Sequence, residues 1–384
     1  MGTDSTERIT PFEVDIDPAD IEDLQRRLAD TRWPDQLPEA AWEYGTERET
    51  LQSLCEYWRE SFDWAAFESR WNRFDQFTTA IDGHRVHFYH VRSPEESARP
   101  LVLLHGWPSS VAEFHEVVGP LTDPAAHGGD PEDAFHVVAP SLPGYGFSGP
   151  TRERGVDIRT VADIVTRLMA RLGYDRYIAQ GGDWGALVAA RLAANHPTRV
   201  EAIHTTLPFV VSSRFDDPMG MLDDGGRADY RETSAFREEG MGYYEVQSTR
   251  PQTLAYGLTD SPAGLSGWLL EKFRSWSDCD DVIEYFGNDR LLDTISVYWL
   301  TGTINSSMRL YYETDERAAI PTSVDVPTGH ARFPAEISKT PRAWVEAVYD
   351  VVHWTEQPRG GHFAAMEVPD LFVEDIRTFV RGLE

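Results

Sequence analysis

The sequence predicts an α/β fold with a mostly parallel central sheet that helices cover on both faces. Three short apolar runs, at residues 101–104, 137–139 and 177–179, have the length and composition of buried parallel strands. A segment with helical periodicity, residues 161–172, lies between two of these runs. Apolar runs that alternate with helices are typical of the α/β class.

The segments outside this core differ in character. Residues 1–76 are helical in pattern, with Ile21, Leu24 and Leu28 at helical spacing. They carry many large aromatic side chains but no compact core of their own, so we expect this segment to wrap another domain. Residues 208–315 are helical, aromatic and interrupted by glycines, which suits an inserted cap.

The core itself is predicted in two parts, residues 77–207 and 316–384, on either side of the cap. In the second part, apolar runs at 320–326 and 348–354 predict further strands. A final helix is predicted at 369–381.

Composition and charge exclude several classes of function. A formal charge of −29 over 384 residues argues against a nucleic-acid partner, because phosphate binding needs a basic face. Hydrophobic residues make up 41% of the chain, which is enough for a buried core and an apolar pocket. Cys55 and Cys279 have neither a disulfide framework nor zinc-site spacing. Residues 1–10 are polar, without a signal peptide, and no apolar run approaches the roughly 20 residues of a membrane span, so we expect a cytoplasmic protein without membrane contact.

A glycine-rich turn follows the third apolar run. The sequence Gly181-Gly182-Asp183-Trp184-Gly185 stands between a predicted strand and an alanine-rich helix, as a nucleophile elbow does. Glycines flank such a turn because strand and helix approach closely there. An aspartate carboxyl, with an ordinary pKa of about 3.9, is ionised at neutral pH and attacks carbon without a base. The pattern alone fits equally well a turn in which the aspartate caps the helix.

Three further motifs decide between these interpretations. His105-Gly106-Trp107-Pro108 follows one buried strand, the segment at 144–148 (GYGFS) follows the next, and Gly360-Gly361-His362-Phe363 precedes the last helix. Together with the aspartate elbow, this set resembles the epoxide hydrolase branch of the α/β-hydrolase superfamily. Residues 31–35 (TRWPD) and 247–251 (QSTRP) resemble the microsomal type, which has its own N-terminal domain.

The resemblance covers nearly the whole chain and implies an α/β-hydrolase fold with an inserted helical cap and an N-terminal wrapping helical segment. It implies that an epoxide and water become a vicinal diol through an ester on Asp183, without a metal or organic cofactor. Two cap tyrosines of the family hold the epoxide oxygen, and the matching positions are Tyr243 and Tyr311. Their neighbours Tyr244 and Tyr312 leave the choice within each pair open.

The resemblance also implies a base and an acid for ester hydrolysis. His362 is the base, because an ordinary histidine pKa of about 6.5 lies close to working pH. Glu336, after the strand near 326–329, is the first choice for the acid that orients it, and Asp325 at the end of the apolar run is the second.

The elbow architecture implies an oxyanion hole made by the backbone N–H groups of Trp107 and Trp184. We expect His105 to order its loop and the Trp107–Pro108 peptide bond to be cis. Phe209, Trp299 and Phe363 are candidates for an apolar pocket, although core packing explains Phe209 and Trp299 equally well. Four histidines outside any motif are expected to be structural or surface residues: His87, His90, His196 and His353.

Two other functions share parts of this pattern. A dehalogenase also uses an aspartate elbow and an ester, but it has no use for the tyrosine pair. A non-catalytic ligand-binding relative would be expected to lose the nucleophile, the histidine or the acid. The predicted partner is a small-molecule epoxide with bulky apolar or aromatic substituents.

The N-terminal segment is expected either to wrap its own core or to help form a homodimer.

Overall fold

The computed structural model describes residues 8–383. Most of the polar segment at residues 1–10, which we interpreted as lacking a signal peptide, lies outside the described residues. Within residues 8–383, nine strands form one sheet: β1 (Thr10–Pro11), β2 (Gln76–Ile81), β3 (His84–Val91), β4 (Arg99–Leu104), β5 (Phe135–Pro140), β6 (Tyr177–Gly181), β7 (Val200–Thr205), β8 (Val324–Arg332) and β9 (Tyr349–Glu356).

The strand order in the sheet is β1-β2-β3-β5-β4-β6-β7-β8-β9. The pairs from β1 to β5 are antiparallel, and every pair from β5 through β4 to β9 is parallel. The predicted mostly parallel sheet is confirmed. Because parallel strands end at the same edge, the loops after β4, β6, β8 and β9 meet there, and each carries a candidate site residue.

Helices cover the sheet and form the segments around it. They are α1 (Pro18–Ala29), α2 (Arg48–Glu60), α3 (Trp64–Trp71), α4 (Val118–Thr122), α5 (Ile158–Arg171), α6 (Asp183–Asn195), α7 (Asp224–Glu239), α8 (Gly242–Thr249), α9 (Pro251–Asp260), α10 (Pro262–Ser275), α11 (Val282–Phe286), α12 (Asn288–Thr301), α13 (Ile304–Glu313), α14 (Glu316–Ala319), α15 (Arg342–Glu346), α16 (Ala364–Glu367) and α17 (Pro369–Arg381). The helices predicted at 161–172 and 369–381 are confirmed as α5 and α17. None of the helices within residues 8–383 is both long enough and apolar enough to cross a bilayer.

The N-terminal segment packs against the helices inserted between β7 and β8. Helix α1 begins at Pro18 after Asp17, whose side chain accepts a hydrogen bond from the Ala19 N–H at 2.9 Å, and it buries Leu24 and Leu28. A partly buried ion pair joins α3 to α12. Arg70 donates to the carboxylate of Asp293 through Nε at 2.8 Å and through Nη2 at 2.7 Å. The inserted helices are therefore tied to the N-terminal segment by a partly buried ion pair.

One predicted strand was placed too early. The apolar run at 320–326 suggested a strand there, but β8 begins at Val324 and continues to Arg332. Ile320 instead ends helix α14. The strand passes through Pro327, which has no N–H to donate, and the ladder with β9 shifts register between Val324 and Pro327.

Candidate active site

The elbow between β6 and α6 places Asp183 at the carboxyl edge of the sheet. Asp183 has a φ of +48°, a left-handed conformation that costs a non-glycine residue energy and is common at functional sites. The turn closes because its flanking residues have no side chain. A Cβ on Gly181 would overlap the carbonyl of Gly185, and a Cβ on Gly185 would overlap the carbonyl of Leu104.

The loop after β4 supplies a hydrogen-bond donor to Asp183. The Trp107 backbone N–H donates to Asp183 Oδ1 at 2.7 Å. Gly106 permits this approach, because a Cβ there would collide with the Asp183 carboxylate. The predicted cis peptide bond between Trp107 and Pro108 is confirmed.

His105 orders this loop. Its Nε2 accepts a hydrogen bond from the Leu142 N–H at 3.1 Å, and its Nδ1 lies 3.0 Å from the Gly106 carbonyl oxygen. Burial lowers the pKa of His105 to about 4, so the ring is neutral at working pH. Both ring nitrogens are occupied by backbone groups, which leaves neither for proton transfer to a substrate.

The loops after β8 and β9 bring Glu336 and His362 together beside the nucleophile. Glu336 Oε1 lies 2.7 Å from His362 Nδ1, and His362 Nε2 lies 3.6 Å from Asp183 Oδ2. Burial opposes protonation of His362, but the charges of Glu336 and Asp183 outweigh it and raise the pKa of His362 well above its ordinary value. Asp325, the alternative acid, is exposed on β8 and does not contact His362.

Two tyrosines from the inserted helices face the nucleophile. Tyr243 on α8 and Tyr311 on α13 are both buried, and both line a pocket whose floor includes Asp183. Burial, together with the charge of Asp183, raises the pKa of each tyrosine well above 10, so each hydroxyl keeps its proton at working pH. Tyr312 is 57% exposed and points away from this pocket, whereas Tyr244 lines it and donates to Glu316 Oε2 at 3.2 Å.

The pocket is mostly apolar, and its enclosed space has a volume of about 80 Å³. Its wall includes Trp184 and the predicted residue Phe209. The charged side chains Arg237 and Glu316 also line it. The remaining lining residues, apart from the nucleophile and the tyrosines, are Leu187, Leu207, Phe236, Met241, Ile337 and Ser338.

Two residues predicted to line the pocket do not. Trp299 lies on α12 and packs against the N-terminal segment, with the Arg27 guanidinium 5.8 Å from its ring centre. Phe363 is fully buried and stacks on Phe273 at 4.5 Å between ring centres. Trp299 contacts Arg27 of α1 instead of the pocket, and the buried Phe363 ring lies against His362, with ring centres 5.1 Å apart.

A second backbone donor is available at the start of α6. The first four N–H groups of a helix have no partner within that helix. The N–H of Trp184, the second residue of α6, belongs to this group and follows the nucleophile directly in the chain. The Trp107 N–H is hydrogen-bonded to the Asp183 carboxylate, whereas the Trp184 N–H lies at the start of the adjacent helix without a partner within that helix.

The sequence analysis did not identify most of the pocket residues that come from the inserted segment. Phe236 and Met241 line the pocket, and the sequence analysis did not name them. The signal that could have identified them is that they are apolar residues in an otherwise charged segment shortly before Tyr243. Leu187 lies one turn after Asp183 on α6 and was predictable from helical periodicity.

The four histidines predicted to be structural have partners elsewhere in the fold, and none of them lines the pocket. His87 contacts Ser141 and Gln76 at 2.9 and 2.8 Å, His90 contacts Tyr174 at 2.9 Å, His196 lies 3.7 Å from Asp163, and His353 contacts Asp375 at 3.1 Å. Within residues 8–383, no cluster of three or more histidine, cysteine, aspartate or glutamate side chains is arranged to hold a metal ion.

Comparison with known proteins identifies the family of the chain. The family model for the epoxide hydrolase N terminus matches residues 9–114, and the model for the alpha/beta hydrolase fold matches residues 99–256. A Stigmatella aurantiaca protein named "Putative epoxide hydrolase" is 43% identical over 98% of this chain and 85% of its own length. Epoxide hydrolase 1 of Sus scrofa is 36% identical over 98% of this chain and 90% of its own.

A solved structure has the same overall fold. The juvenile hormone epoxide hydrolase of the silkworm Bombyx mori superposes with a TM-score of 0.89 at 31% identity, over 98% of this chain and 95% of that one. With relatives of this similarity over almost its full length, the chain belongs to the epoxide hydrolases of the α/β-hydrolase fold, and it is an epoxide hydrolase.

Proposed function

We propose that Asp183 opens the epoxide by direct attack and that the product leaves by hydrolysis of the resulting ester. A carboxylate oxygen of Asp183 bonds to one ring carbon while the bond from that carbon to the ring oxygen breaks. The ring oxygen takes a proton from a tyrosine hydroxyl of the Tyr243/Tyr311 pair, which leaves a hydroxyalkyl ester and a phenolate.

Ester hydrolysis uses His362 and its partner Glu336. A water molecule gives a proton to His362 and attacks the carboxyl carbon of Asp183. The tetrahedral intermediate collapses, the alkoxide takes the proton from His362, and the diol is released with a free carboxylic acid on Asp183. The proton of that acid returns to the phenolate, so the enzyme is restored and the net reaction adds one water to one epoxide.

One observation carries this proposal: the chain of contacts from Glu336 through His362 to Asp183, with distances of 2.7 and 3.6 Å. In the free enzyme, the charge of Asp183 helps to raise the pKa of His362. Esterification removes that charge, so the pKa of His362 falls when the ester forms. His362 therefore becomes a base only after ring opening has given it an ester to hydrolyse.

The backbone N–H groups of Trp107 and Trp184 are proposed as the oxyanion hole. The Trp107 N–H donates to Asp183 Oδ1 at 2.7 Å in the free enzyme, where it holds the other oxygen, Oδ2, toward His362. When water attacks the ester, negative charge develops on the carboxyl oxygen of Asp183 itself. A donor already in place costs no rearrangement at that moment.

The proposed substrate is an epoxide with a bulky apolar or aromatic substituent. Leu187, Phe209 and Phe236 line the pocket and offer such a group apolar contacts. Arg237 and Glu316, which also line the pocket, would contact any polar part of the substrate.

The test is to supply styrene oxide and measure styrene diol by chromatography, with Asp183→Ala as the inactive control. In a single turnover in ¹⁸O-labelled water, the label should enter the Asp183 carboxylate, because the diol takes its new oxygen from the enzyme. Label found only in the diol of the first turnover would show direct attack by water and would refute the ester.

A further inference from the structure

Lys272 is a buried cation next to the active-site tyrosines. It is one of two lysines in the chain and lies on α10, with only 8% of its side chain exposed. Its ammonium group lies 4.8 Å from the ring centre of Tyr243, 5.6 Å from that of Trp276 and 5.9 Å from that of Trp268. The charge is thus surrounded by three aromatic rings, of which one belongs to a proposed proton donor.

Packing alone does not explain a charge at this position. Burial of an ammonium group is costly, and an apolar side chain of similar length would fill the same space without that cost. The carboxylate of Glu271 forms an ion pair with Lys272 and offsets part of the cost, but Glu271 is itself 28% exposed. The remaining partners of the cation are the ring faces.

We propose that Lys272 is a positioning residue for ring opening: its ammonium group holds the Tyr243 ring and stabilises the negative charge that the ring gains as the hydroxyl gives its proton to the epoxide oxygen. This inference rests on the proposed role of Tyr243 as a proton donor. A phenolate spreads part of its charge into the ring, so a cation over the ring interacts more strongly with the phenolate than with the phenol. The effect therefore lowers the barrier rather than only binding the ground state.

The other charges near Tyr243 act in the opposite direction. Burial raises the pKa of Tyr243 most, and Asp183, Tyr244 and Glu316 raise it further, so all of them disfavour a phenolate at this position. In the proposed role, Lys272 opposes them from α10, 4.8 Å from the ring centre. The Tyr243 ring is also stacked on Trp107, with ring centres 5.3 Å apart and planes 5° from parallel, so its orientation toward the cation is set by the same loop that binds the nucleophile.

The test measures the two half-reactions separately by rapid mixing of excess enzyme with styrene oxide. Lys272→Met keeps the length of the side chain and removes the charge. Ester formation should slow about tenfold, which corresponds to about 1.4 kcal/mol, and ester hydrolysis should keep its rate. Lys272→Arg should restore most of the rate of ester formation. Equal slowing of both half-reactions by Lys272→Met, or unchanged ester formation, would overturn the inference.

A double-mutant cycle with Tyr243→Phe separates this inference from the proposed function. Tyr243→Phe must itself slow ester formation, and if it does not, the proposed role of Tyr243 fails. In the Phe background, Lys272→Met should cost little more, because no proton can be transferred from a phenylalanine ring. A full tenfold effect in that background would show that Lys272 acts only through packing.

Two controls account for effects on folding. Arg274→Met removes another cation from the same helix, one that lies 5.2 Å from the ring centre of Trp42, and it should leave ester formation unchanged. Lys272→Gln, a second neutral variant, replaces Lys272→Met if thermal denaturation shows that the methionine variant is unfolded. Ester formation at the wild-type rate in a folded Lys272→Gln variant would likewise refute the inference.

Discussion

Substitution of Glu336 by glutamine removes one charge from the buried pair with His362 and keeps the size of the side chain. The two side chains are each 3% exposed, and Glu336 Oε1 lies 2.7 Å from His362 Nδ1. At an effective dielectric constant of about 20, two unit charges at this distance attract by about 6 kcal/mol, an upper limit on what the carboxylate contributes to a protonated His362. Loss of most of this attraction corresponds to a rate of ester hydrolysis that is about 10⁴-fold lower.

The substitution should lower the rate of ester hydrolysis and leave the rate of ester formation unchanged. Hydrolysis places a proton on His362, whereas ring opening needs only Asp183 and the tyrosines. The variant should therefore form the ester in one rapid turnover and then stop. Intact-protein mass spectrometry should show the mass increased by one epoxide molecule, and a peptide digest should locate the addition on Asp183.

Asp325→Asn is the matched control, because it neutralises the other candidate acid, which is exposed and does not contact His362. It should turn over at the wild-type rate and accumulate no adduct. Normal turnover by the Glu336→Gln enzyme, or an adduct that accumulates in the Asp325→Asn enzyme, would refute the assignment of the acid.

Two further predictions concern the cap and stability. Tyr311→Phe should slow ester formation about 100-fold in rapid-mixing experiments, a typical loss for one general acid, whereas Tyr312→Phe, at an exposed position, should not. Burial raises the pKa of Asp375, but hydrogen bonds from His204 and His353 outweigh it and lower that pKa. The stabilisation is therefore present in full above an unfolded-state pKa of about 3.9 and is lost progressively as pH falls from there to the much lower folded-state pKa. In urea denaturation, Asp375→Asn should lower the free energy of unfolding by about 3 kcal/mol at pH 7 and by less than half of that at about pH 2. An equal loss at both pH values would contradict this account.

The residues predicted most directly from the sequence are those whose position is set by local backbone geometry. Asp183 was predictable because a sharp strand-to-helix turn needs glycine at Gly181 and Gly185, and this requirement is visible in the sequence. The choice of acid between Glu336 and Asp325 could not be made in this way, because the position of Glu336 depends on where β8 ends and how the following loop folds back. Asp325 and Glu336 therefore stayed alternatives until their exposure and distance from His362 were known.

The pocket was harder to predict than the reacting groups. Whether an aromatic side chain lines a cavity depends on which face of its helix meets the core, and periodicity identifies a buried face without naming its neighbour. Trp299 and Phe209 looked alike in sequence, yet one packs on the N-terminal segment and the other lines the pocket. The choice of Tyr311 over Tyr312 followed from the same information about helix faces.

The proposed nucleophile, base and acid all lie at the carboxyl edge of the sheet, whereas both tyrosines proposed as proton donors lie on the inserted helices. The groups proposed to protonate the epoxide oxygen and the groups proposed to hydrolyse the ester are thus encoded in separate stretches of the gene. Substitutions in the insertion can retune which epoxides are opened, and how fast, while the machinery that releases the diol stays intact. Selection for a new substrate therefore needs to search mainly the insertion, and a library confined to it should yield altered preference without enzymes trapped as the ester.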